Sequence, residues 1–147
     1  RKALEQPGGG SLVSWVQGDA MALPFAADTF DAVTVGFGLR NMPDYLGALR
    51  EVVRVLKPGG TFVCLETSPL PSPVLQSIFE LTVQTGLPLL GGILSGDRAA
   101  YAYLPRSSAL FPDAESLGRL MQVAGLRNVR YLRRGLGAVA IHVGRKQ

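Results

Sequence analysis

Residues 30–41, FDAVTVGFGLRN, constrain this chain more than any other stretch. Ala32, Val33, Thr34 and Val35 are small or β-branched residues between turn-like flanks. That composition predicts a strand buried on both faces. Gly36, Phe37, Gly38, Leu39, Arg40 and Asn41 follow without a spacer. Two glycines permit a sharp exit and let the backbone approach a ligand closely. Arg40 and Asn41 then place a fixed charge and an amide just past the strand's carboxyl end, the edge where open α/β sheets bind ligands. The same residues also read as a β-to-α turn with a solvated arginine.

The flanking sequence extends this frame. Residues 12–17, LVSWVQ, predict a short strand ending at Gly18-Asp19-Ala20. An Asp in that place can accept hydrogen bonds from a ligand amine or hydroxyl, or it can cap a turn. Leu23-Pro24-Phe25 is placed to cover a flat ligand or to plug the core. After Met42-Pro43-Asp44, Leu46, Leu49, Val52, Val53 and Leu56 recur at helical spacing, and Lys57-Pro58-Gly59-Gly60 reads as the stop. Residues 61–65 predict a second buried strand. If it runs parallel to the first, Glu66-Thr67-Ser68 shares an edge with residues 36–41. Strand, helix and strand at these lengths make a right-handed parallel crossover.

Residues 74–94 are apolar but interrupted by Gln76, Glu80, Gln84 and Pro88. A membrane span needs about 20 mostly apolar residues, so this stretch predicts a broken helix serving as a lid or channel wall, or an ordinary core helix. Val74, Leu75, Ile78, Phe79 and Leu87 are the residues expected to meet lipid or a substrate tail. Phe111-Pro112-Asp113 opens another helix with a stripe of Leu117, Leu120, Met121 and Ala124, ended by Gly125. Residues 129–133 and 138–143 form a hairpin around Gly135-Leu136-Gly137.

The 147 residues fit one domain, 1–147, with residues 69–112 as an apolar insertion, and 47% hydrophobic content suffices for a core. The net charge of +4 comes without a Lys/Arg run or an aromatic-interleaved basic patch, which argues against a nucleic-acid partner. A single cysteine, Cys64, excludes an internal disulfide and a multi-cysteine metal site; its apolar setting predicts a buried, inert thiol. His142, the only histidine, cannot make a metal site alone. It is a possible general base in competition with a core or surface histidine. There is no secretory signal, and residues 1–6 read as the end of a helix stopped by Pro7-Gly8-Gly9-Gly10, so upstream sequence is expected. GFGLRN falls short of a dinucleotide fingerprint, since Asn41 stands in place of the third glycine and Pro43 interrupts the helix start. No GxSxG elbow or P-loop occurs.

The order of short motifs is more specific than any one of them. Gly18-Asp19-Ala20, Leu23-Pro24-Phe25, Asp28-Thr29-Phe30-Asp31, GFGLRN at residues 36–41, RVLKPGG at 54–60 and Leu65-Glu66 come in sequence. This resembles the middle and C-terminal part of a class I S-adenosylmethionine-dependent methyltransferase. YLPRS at residues 103–107, FPD at 111–113 and AVAIHVG at 138–144 narrow the resemblance to the menaquinone/ubiquinone-biosynthesis C-methyltransferases. It covers almost the whole chain. The family's first strand, its glycine-rich motif and the acidic end of its second strand would all precede Gly18, and none is present.

The resemblance implies an α/β, Rossmann-like sheet, mostly parallel with a C-terminal antiparallel hairpin and lacking the first two strands. It implies S-adenosylmethionine as cofactor and carbon methylation of a polyprenyl quinol, demethylmenaquinol above all. Asp19 would take the adenine amine, Ala20 and Leu23 would pack on the ring, and Gly36, Phe37 and Gly38 would line the cofactor edge. Arg40 and Asn41 are the catalytic candidates; Tyr103 and Ser107 match the substrate-side motif. A lipid-soluble substrate implies a cytoplasmic enzyme that meets the inner face of the membrane transiently, without integral insertion. This chain alone is expected to bind the cofactor weakly and to be inactive. The alternative is a non-catalytic, incomplete Rossmann-like module. The oligomeric state, a homo-oligomer included, stays open.

Overall fold

The structure, a computed structural model, describes residues 13–70 and 111–147 together with residues 72, 74 and 77. Its elements are β1 (Phe30–Gly36), a 3₁₀ turn (Leu39–Asn41), α1 (Tyr45–Val55), β2 (Leu56–Thr67), α2 (Ala114–Val123), β3 (Leu126–Arg134), a second 3₁₀ turn (Gly135–Gly137) and β4 (Val139–Lys146). They build one mixed sheet in the order β1-β2-β4-β3. β1 and β2 are parallel, and β4 runs antiparallel to both β2 and β3. The expected crossover and C-terminal hairpin are both present. Among the described residues the parallel part is this single pair.

Local chemistry sets the helix boundaries. The Asp44 carboxylate accepts from Gly47 N at 3.0 Å and starts α1. Asp113 does the same for α2 through Ser116 N at 2.7 Å, and that bond holds its carboxyl below the usual range. The stripe Ala48, Leu49, Val52 and Val55 of α1 is buried, as are Ala114, Leu117, Gly118 and Met121 of α2. Both helices pack on one sheet face around Phe62, Cys64 and Leu126. Gly144 permits the close approach: a Cβ there would lie 3.2–3.3 Å from Leu126, Met121 and Val129 side chains.

Three expectations need correction. β1 is not buried on both faces: Ala32, Thr34 and Gly36 are exposed, while Val33 and Val35 pack against the core. It is an edge strand of the described sheet, paired only with β2. Residues 13–17 form no strand, and Trp15 is 64% exposed. A strand needs a ladder partner for its backbone groups, and none of the described strands pairs with it. The Lys57-Pro58-Gly59-Gly60 stop is not a separate turn. Leu56 is already extended, and these residues lie within β2 as an irregularity, where Phe30 pairs with Leu56 but Ala32 pairs with Thr61. Pro58 is tolerated there because it sits near the strand's start, in the irregular stretch. The expected lid at residues 74–94 and the insertion 69–112 lie mostly outside the described residues.

Candidate functional site

The parallel register brings the two carboxyl ends together. Gly36 pairs with Leu65, and Phe37 N donates to Leu65 O at 2.9 Å. The chain then turns through Phe37, whose φ is 53°, so the left-handed position falls on a phenylalanine and not on either flanking glycine. The 3₁₀ turn buries Leu39 and aims Arg40 at the end of β2. There Arg40 Nη1 donates to Glu66 Oε2 at 2.8 Å, and Arg40 N donates to Glu66 Oε1 at 3.2 Å. Thr67 N donates to Glu66 Oε2 at 3.1 Å. The Arg40 side chain is 8% exposed and that of Glu66 is 0% exposed. Arg40 is therefore half of a buried ion pair, not a solvated cation. Its guanidinium also lies 5.4 Å from the Phe37 ring centroid, and its buried Nε has no hydrogen-bond partner. Asn41 Nδ2 donates to Phe37 O at 3.4 Å, closing the turn.

A second group lies in the loop before β1. Asp19 Oδ1 accepts from Met21 N at 2.8 Å, and Ala22 N donates to Asp19 O at 3.0 Å. Asp19 thus caps a tight turn. Gly18 packs under it: a Cβ there would lie 2.7 Å from Pro24. The loop is strapped to α1 by two residues. Leu23 N donates to Glu51 Oε2 at 2.9 Å. Arg54 donates to Leu23 O at 3.0 Å and Phe25 O at 2.8 Å while paired with Glu51 at 2.8 Å. The Arg54 bond holds the Glu51 carboxyl below its usual range.

Glu66, Glu51 and Arg54 take positions that sequence periodicity does not assign. Arg54 and Glu66 both stand within the quoted motif order, which marks them without showing what they hold. Glu51 carries no sequence signal beyond its place on α1. Tyr103 and Ser107 lie outside the described residues.

His142 is a core residue. It is 1% exposed, and Nε2–H donates to Ala114 O at 2.7 Å, which fixes the tautomer. Nδ1 is buried and without a hydrogen-bond partner. Burial pushes its pKa down and Arg133 pushes the same way, against the Ala114 bond. Cys64 faces it across the β2/β4 ladder. Burial, with Glu66 adding, pushes that thiol up to about 12, so it is inert at neutral pH. Among the described residues no cluster of His, Cys, Asp and Glu is arranged to hold a metal ion.

Known proteins resemble this chain in sequence and in fold. The sequence matches the ubiE/COQ5 methyltransferase family over residues 1–146. It is 46% identical over 134 residues to a demethylmenaquinone methyltransferase of Lactococcus lactis, covering 91% of this chain and 53% of that protein. The identity is again 46% over 134 residues to the demethylmenaquinone methyltransferase of Staphylococcus saprophyticus, covering 91% of this chain and 58% of the relative. The chain thus spans just over half the length of these curated relatives. In three dimensions it resembles a SAM-dependent methyltransferase of Thermotoga maritima described as a possible histamine N-methyltransferase. That likeness has a TM-score of 0.62 at 21% identity and covers 90% of this chain and 63% of the other. It supports the Rossmann-like fold of the sheet and its helices. A match running over nearly every residue, with GFGLRN set at the carboxyl edge of the parallel pair, places the chain in the ubiE/COQ5 methyltransferase family.

Proposed function

We propose that the intact protein carrying this chain methylates a ring carbon of demethylmenaquinol, giving menaquinol, with S-adenosylmethionine as methyl donor. The observation that carries the reading is the convergence of Gly36, Arg40 and Glu66 at one sheet edge, in a chain of this family. The names of the similar proteins supply the quinone.

S-adenosylmethionine supplies an electrophilic methyl group on a positively charged sulfur. The chain's own residues suit one side of it. A Cβ built on Gly36 would meet nothing within 4 Å, so backbone is open to a ligand there. Asp19 is held rigid through Oδ1, which leaves its other oxygen for the adenine amine, and the strapped loop sets Ala20 and Leu23 against the ring. Phe37 and Gly38 continue the cofactor edge.

Carbon methylation needs an electron-rich ring. A phenol ionises near pH 10, and a neighbouring cation favours the anion. Arg40 fills that role, steered by Glu66. Because the carboxylate offsets part of its field, Arg40 acts through a directed N–H more than as a bare charge. Asn41 orients a ring oxygen or a water, and Tyr103 and Ser107, which match the substrate-side motif, are assigned to recognition of the quinol. Holding donor and ring in line in a dry site is worth up to about 7–11 kcal/mol of the barrier. The protein works in the cytoplasm and meets the inner face of the membrane reversibly. Among the described residues no helix is long and apolar enough to cross a membrane.

Transfer of isotope-labelled methyl from S-adenosylmethionine to demethylmenaquinol by the intact protein tests this reading. Labelled menaquinol is expected; no incorporation would instead favour a non-catalytic module. Gly36→Ala tests the cofactor edge separately. Gly36 has no positive φ and no close neighbour, so the melting temperature should hold or rise slightly. Cofactor affinity should fall about tenfold, roughly 1.4 kcal/mol, in a calorimetric titration. Unchanged affinity would place the cofactor away from Gly36.

A further inference from the structure

We infer that the tip and outer edge of the β3–β4 hairpin form a docking surface for an anionic lipid bilayer. The hairpin corrects the expectation that no basic patch is interleaved with aromatics: residues 126–147 contain Arg127, Arg130, Arg133, Arg134, Arg145 and Lys146, with Tyr131 among them, and no acidic residue. The other residues of the chain hold nine Lys and Arg against all eleven Asp and Glu. The net positive charge of the chain therefore resides in this hairpin. Lys146 is committed to Asp28 at 2.7 Å. Among the described residues no carboxylate pairs with the five arginines.

Apolar groups stand among these charges. Tyr131 and Leu132 of β3 are exposed, and Leu136 at the tip is 83% exposed. Leu136 has φ 58° and ψ 11°, a left-handed conformation that suits glycine and is costly for leucine. Glycines flank it on both sides. Neither core packing nor backbone preference accounts for a leucine there. A large apolar side chain held out among arginines and a tyrosine fits the boundary between headgroups and acyl chains. Anionic headgroups supply the complementary charge. An acidic protein or a nucleic acid would use the arginines but gives no role to Leu136.

The hairpin tip also lies at the right end of the sheet. Thr67 pairs with Val139, and Ser68 N donates to Ala138 O at 2.9 Å. The tip therefore shares a rim with Glu66 and Arg40. A bilayer touching Leu136 would lie at the sheet edge that carries Glu66 and Arg40, where a polyprenyl quinol is proposed to react. That purpose rests on the quinol reading, whereas the docking itself does not.

The test is co-sedimentation of the intact protein with phosphatidylcholine vesicles, with and without phosphatidylglycerol, for the wild type, Leu136→Gly and the double variant Arg130→Gln/Arg134→Gln. Leu136→Gly relieves the left-handed leucine, so folding should not suffer. Wild type should bind the anionic vesicles and be released by salt. Each variant should bind about fivefold less, a change of about 1 kcal/mol, and keep methyl transfer to a short-tailed, water-soluble quinol. Equal vesicle binding by all three proteins would overturn the inference. So would binding to heparin or polyglutamate without binding to vesicles. If vesicle binding depends on the hairpin but no quinol is methylated, the docking surface stands and the proposed reaction fails.

Discussion

Arg40→Ala is expected to destabilise the intact protein by about 3–5 kcal/mol, because it leaves Glu66 charged in a fully buried position. The backbone amides of residues 40 and 67 would still donate to that carboxylate, so the lower part of the range is expected. Glu66→Ala should cost a similar amount by leaving the guanidinium buried and unpaired. The double variant Arg40→Met/Glu66→Leu removes both charges and keeps much of the volume. It should recover part of the lost stability: apolar replacements of buried ion pairs are commonly neutral or stabilising, but here the amides of residues 40 and 67 lose their acceptor. Denaturant unfolding of the three variants measures this directly. Turnover should not recover with stability: loss of the directed N–H should lower kcat about 100- to 1,000-fold in Arg40→Ala and in the double variant alike. Cofactor affinity should change far less. A double variant that regains activity, or an Arg40→Ala protein whose cofactor affinity collapses while kcat at saturation holds, would remove Arg40 from the reacting centre.

That pair also shows what was legible in the sequence. The strand, helix, strand order and the final hairpin could be read because hydrophobic spacing and caps are local signals. Asp44, Asp113 and Gly125 mark helix ends at the places expected. The sheet edge carrying Arg40 followed from the parallel crossover. The partner of Arg40 did not: Glu66 lies 26 residues away, and only the register of β1 on β2 brings the two together. The Glu51–Arg54 strap was hidden for a related reason. On a helix surface such a pair looks like ordinary i,i+3 support, and its bonds to Leu23 and Phe25 appear only once the loop folds back. Residues 12–17 and β1 misled because composition reports what a strand could bury, not whether neighbours exist to bury it. The positive φ at Phe37 carries no sequence signal, because the neighbouring glycines permit that conformation without requiring it.

Acid should weaken the fold through His142 before it reaches the carboxyls of Asp31, Glu51 and Asp113. The imidazole is buried, its Nε2–H is committed to Ala114 O, and Nδ1 has no acceptor awaiting a second proton. The charged and titratable groups around it are Arg133 and Tyr131 on β3, Cys64 and Glu66 on β2, and Asp113 ahead of α2. Burial leads in depressing its native pKa below the ordinary 6.5, and Arg133 adds to it. In the unfolded chain the ring titrates normally. As pH falls through about 6.5, the unfolded chain takes up a proton that the native chain refuses, so stability declines. The decline ends once pH passes the native pKa. Hydrogen bonds from Lys57, Arg54 and the Ser116 backbone hold the Asp31, Glu51 and Asp113 carboxyls below the usual carboxylate range. Their contributions are lost only at pH below the usual carboxylate range of about 3.9–4.3, so the window from about pH 6.5 to about 5 is where His142 is tested. His142→Gln keeps an N–H donor for Ala114 O and cannot titrate. Chemical unfolding across that window should show a falling stability in the wild type and a flat one in the variant, whatever the offset between them. An equal slope in both proteins would assign the acid sensitivity to another group and leave His142 as a packed side chain with no part in it.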